Sequence, residues 1–241
     1  MAKERLDKLA ALALGMTRSE ARELIKKGGV CVNGAAVCDG ALKIDSEIDE
    51  ITVSGQRAVP EKTVYIMLNK PKGVISASYD GKEKTVVDIL PDSMKRRGLF
   101  PAGRLDKDTT GFCLITDDGD FAHYILSPVH HIKKTYLAVL SSDPGEQTVK
   151  DAFSKGVILK DGTVLLSAQA RLVSGGCQPV YEVVISEGKY HQVKRMFASL
   201  GTTVTELKRI KMGGLFLDES LAPGEARYLT ADELSEIKSE K

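Results

Sequence analysis

The chain has 241 residues, with 34 Lys and Arg against 33 Asp and Glu, a formal net charge of +1. Hydrophobic residues at 42% and charged residues at 28% fit a globular chain and exclude a mainly disordered one. No apolar run approaches the roughly 18 residues of a membrane span, and the Met-Ala-Lys-Glu-Arg start lacks a signal-peptide core. Cys31, Cys38, Cys113 and Cys177 are scattered, which predicts reduced thiols in a cytoplasmic protein and excludes a disulfide or zinc scaffold.

Near-neutrality hides a gradient. Residues 1–43 carry eight basic side chains against five acidic ones, whereas residues 45–50 carry four acids and no base. A basic patch beside an acidic edge suits docking on phosphates and a solvated helix face equally. Leu6, Leu9, Ala10 and Ala13 share one face of a helix predicted over residues 5–14. Thr17-Arg18-Ser19-Glu20 has capping-box spacing and opens a second helix through Ala21, Leu24 and Ile25, which Gly28-Gly29 closes. Val30-Cys31-Val32 and Ala35-Ala36-Val37 flank Asn33-Gly34, a preferred hairpin turn. Ile51 and Val53 supply another short strand. Residues 1–54 thus read as a small α/β module, and the polar stretch 55–63, with Gly55 and Pro60, reads as a linker.

Beyond residue 63 the pattern turns to many strands and few helices. Strands are predicted at 64–69, 111–116, 136–140, 164–173 and 181–185. Helices are predicted at 146–155, at 191–200 and at the end of the chain, where Thr230-Ala231-Asp232-Glu233 repeats the capping box. Asp120 is placed as the cap of a short helix ending before Ser127-Pro128. The fold class is α+β, with the small module ahead of a larger domain at 64–241.

Arg104 and Asp106, two residues apart, would share one face of an extended segment, where a guanidinium and a carboxylate can be fixed side by side. Spacing alone leaves two readings open, a brace for a loop or part of a site. His123, His130, His131 and His191 lack metal-ligand spacing, and no phosphate-binding glycine loop occurs, so no metal or nucleotide cofactor is expected.

Gly103-Arg104-Leu105-Asp106-Lys107-Asp108-Thr109-Thr110-Gly111 resembles the catalytic-aspartate motif of pseudouridine synthases, which isomerise uridine within RNA. Arg5-Leu6-Asp7-Lys8, Thr17-Arg18-Ser19-Glu20-Ala21 and Val30-Cys31-Val32-Asn33-Gly34 resemble the S4-type RNA-binding domain of the branch that modifies ribosomal RNA. Leu68-Asn69-Lys70-Pro71-Lys72-Gly73, Lys134-Thr135-Tyr136, the run from Glu187 through His191-Gln192-Val193-Lys194-Arg195 to Phe197, and Gly224 to Thr230 match that branch in order.

The resemblance implies an S4-type domain and a catalytic domain built on a mixed, mainly antiparallel sheet with flanking helices. It implies a monomer acting on ribosomal RNA without a cofactor. Asp106 matches the essential carboxylate, which would act at the ribose C1′. Tyr136 matches the tyrosine that stacks on the uracil and serves at C5. Lys194 falls where the family sets a cation against the aspartate, and the sequence leaves open whether Lys194 or Arg195 faces it. Arg5, Lys8, Arg18, Lys26, Lys27, Arg104 and Arg195 are the expected RNA contacts. Tyr190-His191-Gln192-Val193-Lys194-Arg195 is more similar to enzymes acting on small-subunit rRNA, since large-subunit enzymes more often carry Asn-Arg-Gln-Val-Arg-Arg. The alternatives are a large-subunit or transfer-RNA substrate, or a non-catalytic RNA-binding assembly protein.

Overall fold

The computed structural model describes residues 3–46, 48–59 and 62–239. Tertiary contacts divide the chain into two units, residues 1–63 with 94–99 and residues 64–93 with 100–241. In the first unit β1 (Glu4–Arg5) runs into α1 (Leu6–Leu14), and Gly15 turns the chain towards α2 (Arg18–Lys26). Thr17 Oγ1 accepts from the Glu20 amide while the Thr17 amide donates to the Glu20 carboxylate, so the capping box forms as its spacing predicts.

Strands β2 (Val30–Val32) and β3 (Ala35–Ala36) make the hairpin, with Asn33 and Gly34 both at positive φ in the turn. β4 (Lys43–Ile44) pairs with β1, β5 (Ile51–Val53) with β2, and β6 (Gln56–Arg57) with β5. Leu6, Leu9, Ala10, Ala21, Ile25 and Val30 form the buried core of this unit. Each fully buried leucine or isoleucine contributes about 1.5–3 kcal/mol. β6 falls within the stretch read as linker. The reason is a second tight turn: Ser54 and Gly55 both take positive φ and fold the chain back onto β5. Pro60 and Glu61, also in that stretch, lie outside the described residues.

The second unit runs β7 (Tyr65–Lys70), β8 (Phe100–Pro101), β9 (Thr110–Thr116), α3 (Gly119–Leu126), β10 (Lys134–Leu140), α4 (Glu146–Ser154), β11 (Gln169–Ser174) and β12 (Val180–Ile185). It continues through α5 (Gln192–Ser199), β13 (Val204–Met212), β14 (Leu215–Phe216), β15 (Ala226–Tyr228) and α6 (Ala231–Ser239). Its strands form one sheet in the order β11-β12-β10-β13-β9-β7-β15, with β14 on β13 and β8 on β9. Every pairing is antiparallel except β13 with β9, so the sheet is mixed and mainly antiparallel as expected. Met67, Phe112, Leu114, Phe121, Ile125 and Ile237 pack sheet, α3 and α6 together.

The short strands β8, β14 and β15 lie outside the predicted elements, and three longer elements also differ from the sequence reading. Asp118 caps α3, its side chain accepting from the Asp120 and Phe121 amides, because the helix starts two residues earlier than Asp120 would allow. The strand expected across 164–173 begins only at Gln169. The Leu165 amide donates to Val157 and the Leu159 amide to Thr163, so residues 157–165 close a compact loop instead. β13 was not foreseen, because Glu206, Lys208, Arg209 and Lys211 break the apolar alternation. It is nevertheless an inner strand, pairing with β10 on one side and β9 on the other. There Arg209 is only 2% exposed, and its Nε donates to the Phe112 carbonyl at 2.7 Å. Gly111 sits opposite Arg209 at positive φ, and a Cβ at that position would stand 2.2 Å from the Arg209 carbonyl oxygen. Only glycine lets β9 approach β13 this closely.

Candidate active site

Asp106 lies in the loop that joins β8 to β9, and the sheet fixes that loop from below. The Leu105 amide donates to Ser76 Oγ and that hydroxyl donates back to the Leu105 carbonyl, both at 3.0 Å and both buried. The Thr109 amide closes a turn onto the Asp106 carbonyl at 3.1 Å. Lys70, at the end of β7, is fully buried, and its ammonium donates to the carbonyls of Thr109, Pro71 and Lys107 at 2.8, 3.2 and 3.3 Å. Burial brings the Lys70 pKa down to about 8. The loop backbone is thus held on both sides of Asp106, which leaves its side chain to face outward.

Lys194 Nζ lies 3.0 Å from Asp106 Oδ2 and 2.6 Å from Asp108 Oδ1. Burial disfavours the Lys194 charge, but hydrogen bonds to Asp108 and Asp106 outweigh it and raise the pKa above its ordinary value. Hydrogen bonding from Lys194 holds the Asp108 carboxyl below the usual range. His191 Nε2 approaches Asp106 Oδ1 at 3.4 Å from the other side. His191 is the N-cap of α5 in the left-handed conformation, stacked on Tyr190 with ring centroids 3.8 Å apart. The Asp106 side chain keeps 26% of its surface open to a cleft. Tyr136 on β10, nearly buried, lines the same cleft with Thr109, Ile185 and Leu207. The Thr109 hydroxyl is buried and has no partner among the described residues.

Asp106, Tyr136 and Lys194 therefore converge. Arg195 turns the other way, as the roughly 100° step between helix neighbours requires, and its guanidinium lies 2.5 Å from Asp161 Oδ2. Arg104 is exposed at the rim of the cleft. The side-by-side pairing of Arg104 with Asp106 is not made, because Gly103 at positive φ and the Asp106–Thr109 turn break the extended path it needed. His191 escaped the sequence reading, which tested the histidines only for metal-ligand spacing. Its spacing three residues before Lys194 was the available signal, since i and i+3 share a helix face.

In the first unit the expected RNA contacts divide. Arg5 and Arg18 both bind Asp7, at 2.7 and 2.9 Å, and Arg22 joins them at 2.7 Å. The Asp7 carboxyl is fully buried, yet the three guanidiniums overcome the cost of burial and push its pKa far below the carboxylate range. Lys8 differs from the open-face expectation: its side chain is largely buried and its ammonium pairs with Glu4 at 2.6 Å. Lys26 and Lys27 are exposed. No helix among the described residues is long and apolar enough to cross a membrane. No three His, Cys, Asp or Glu side chains among them converge as metal ligands.

The sequence matches the family model for RNA pseudouridylate synthase over residues 64–199 and that for the S4 domain over residues 4–47. It is 42% identical to an uncharacterized RNA pseudouridine synthase, YtzG, of Bacillus subtilis, covering 95% of this chain and 96% of that protein. It is also 42% identical to the ribosomal small subunit pseudouridine synthase A of Escherichia coli, covering 97% and 99%. The same protein of Vibrio cholerae is 42% identical over 97% and 99%. A solved pseudouridylate synthase crystal structure aligns with a TM-score of 0.68 at 40% identity, over 97% of this chain and 99% of that one. The chain belongs to the RNA pseudouridylate synthase family, with an S4 domain ahead of the synthase domain.

Proposed function

We propose that this chain converts a uridine of small-subunit ribosomal RNA to pseudouridine, with Asp106, Tyr136 and Lys194 as the acting residues. The observation that carries the reading is one partly open carboxylate, on a loop clamped by Ser76 and Lys70, with an ammonium 3.0 Å away at the mouth of a cleft. One ionised carboxylate beside a developing sugar cation suffices for this chemistry. Asp106 acts at C1′, by covalent attack or by assisting cleavage with proton removal at C2′. The C1′–N1 bond breaks, the uracil turns, and C5 bonds to C1′. The proton on C5 then leaves and N1 gains one, so the product is an isomer of the substrate. Lys194 sets a positive charge 3.0 Å from the Asp106 carboxylate, fixing its position once the base excludes water. Tyr136 forms the apolar wall on which the uracil stacks and stands at C5.

Reaching C1′ requires the nucleotide to leave its stack, at a cost of a few kcal/mol that phosphate contacts must offset. The module at residues 1–54 is assigned that anchoring role, with Arg5, Arg18, Lys26 and Lys27 as its basic side chains, Arg104 and Arg195 serving the synthase domain at 64–241. The small-subunit target follows the names of the Escherichia coli and Vibrio relatives, and the cytoplasm, where ribosomal RNA is assembled, is the working compartment. Mapping pseudouridines in ribosomal RNA from cells with and without the gene tests the reading. Loss of one small-subunit pseudouridine, restored by the wild-type gene but not by Asp106→Asn, is the expected result. An unchanged map would sink it.

A further inference from the structure

We propose that Tyr190, stacked on His191, is a docking platform for one unpaired RNA base next to the target uridine, set in register with Asp106. This deepens the reading of the chain as a pseudouridine-forming enzyme and rests on it. The backbone of the platform is fixed by its own turn. The Gln192 amide donates to the Lys189 carbonyl at 3.1 Å, and the Lys189 amide donates to Gln192 Oε1 at 2.9 Å. The buried Gln192 side chain also donates to Glu187 Oε1 at 3.0 Å, and Arg195 Nη1 donates to the Tyr190 carbonyl at 3.5 Å. Tyr190 and His191 are thus the tip of a closed turn, with His191 at φ 48°, a left-handed conformation uncommon outside glycine. Such a conformation persists only where its surroundings impose it, and these positions cluster at functional sites.

The rings are ordered as well. Tyr190 and His191 lie 3.8 Å apart between centroids and 18° from parallel. The imidazole covers one Tyr190 face, yet the residue is 76% exposed, so the opposite face is bare to solvent. His191 in turn brings Nε2 within 3.4 Å of Asp106 Oδ1. A lone exposed tyrosine needs no explanation, but this one is stacked in advance on a side chain that touches the carboxylate acting at C1′. The occupant follows from charge and from the substrate. Lys189, the preceding residue, is exposed and lines the cleft together with Arg104. A bare ring beside two cations suits a nucleotide, its base on the ring and its phosphate near the ammonium. The target uridine must leave its stack to reach Asp106, which strips its strand neighbour of a stacking face. The Tyr190 ring replaces that face. Every base has a π-face, so the platform sets the register of the strand rather than the identity of the neighbour.

The test pairs a protein change with an RNA change. Full-length proteins act on a small-subunit RNA fragment that carries the converted uridine, either intact or with the base removed from the nucleotide on its 5′ or its 3′ side. Tyr190→Ala is expected to raise KM about tenfold, the scale of one lost base–aromatic stack. The loss falls on KM rather than kcat, because the contact is the same before and during reaction. Tyr190→Phe keeps the flat ring and is expected to restore most of the KM, whereas Tyr190→Leu, apolar but not flat, does not. Removing the base at one of the two flanks is expected to raise the wild-type KM and to erase the difference between wild type and Tyr190→Ala. An unchanged KM in Tyr190→Ala overturns the proposal, as does a Tyr190→Leu that matches Tyr190→Phe. Equal effects of Tyr190→Ala on the intact and on both abasic fragments overturn it too. A wild-type protein that forms no pseudouridine in small-subunit RNA would instead overturn the functional reading, and the platform with it.

Discussion

Asp7 and Asp106 are both carboxylates among cations, one in each unit, and their surroundings differ in kind. Asp7 is sealed from water and takes four hydrogen bonds from three arginines. Asp106 keeps a quarter of its surface, has one ammonium at 3.0 Å and one imidazole at 3.4 Å, and relies on backbone clamps for its position. A saturated carboxylate can only organise its neighbours. An undersatisfied one, held by its backbone, has lone pairs left for a reacting carbon. Cation count alone would have ranked Asp7 as the stronger candidate for chemistry, and accessibility reverses that order.

The largest expected effect breaks the comparison at Asp106. Asp106→Asn should lower pseudouridine formation by about 10⁴-fold or more, the scale of removing a nucleophile, while affinity for RNA holds or improves. Wild-type turnover would refute the assignment. Next comes its cation. Lys194→Met should cost about 10²-fold, comparable to losing one preorganised charge in a site. Arg195→Met, which releases Asp161 and the Tyr190 carbonyl but leaves the Lys194–Asp106 pair in place, should cost far less turnover than Lys194→Met.

Asp7 gives a stability effect instead. Its folded-state pKa lies well below the unfolded value near 4, so the folded chain binds this proton more weakly than the unfolded chain. The stabilisation is full above about pH 4 and is lost as acid is added below it. Denaturant unfolding of the first-unit transition should show an acid-dependent loss on the order of 2–3 kcal/mol, which Asp7→Asn abolishes. A variant with the wild-type pH dependence would count against the ion cluster. The smallest effect is expected from the exposed pair outside the Asp7 ion cluster: Lys26→Gln with Lys27→Gln should flatten the salt dependence of RNA binding by about 1–2 in slope.

The comparison also marks what the sequence made legible. Both capping boxes, the Asn33-Gly34 hairpin and the motif around Asp106 could be read because each is a local pattern with a local cause. Lys194 and Arg195 could not be told apart, because adjacent helix residues differ only in direction and the helix start was uncertain. The Asp7 cluster escaped because Arg18 and Arg22 reach it across a turn, from 11 and 15 residues away. β13 escaped for a related reason. Lys208, Arg209 and Lys211 look like a solvated run until one knows that Arg209 is buried against the Phe112 carbonyl.

The inner position of β13 sets an order of events during synthesis. β9 and β10 emerge first and are not direct partners; the strand that lies between them is made of residues 204–212. Until those residues leave the ribosome, Gly111 has no Arg209 to lie against, and α5, with Lys194 and His191 at its start, has only just been made. The first unit, by contrast, has all its residues by position 99, about a hundred residues earlier. Because nascent chains fold from the N-terminal end, the nascent protein holds a finished basic module long before its carboxylate has a setting. Chain order alone thus makes the growing polypeptide a ligand before it is a catalyst.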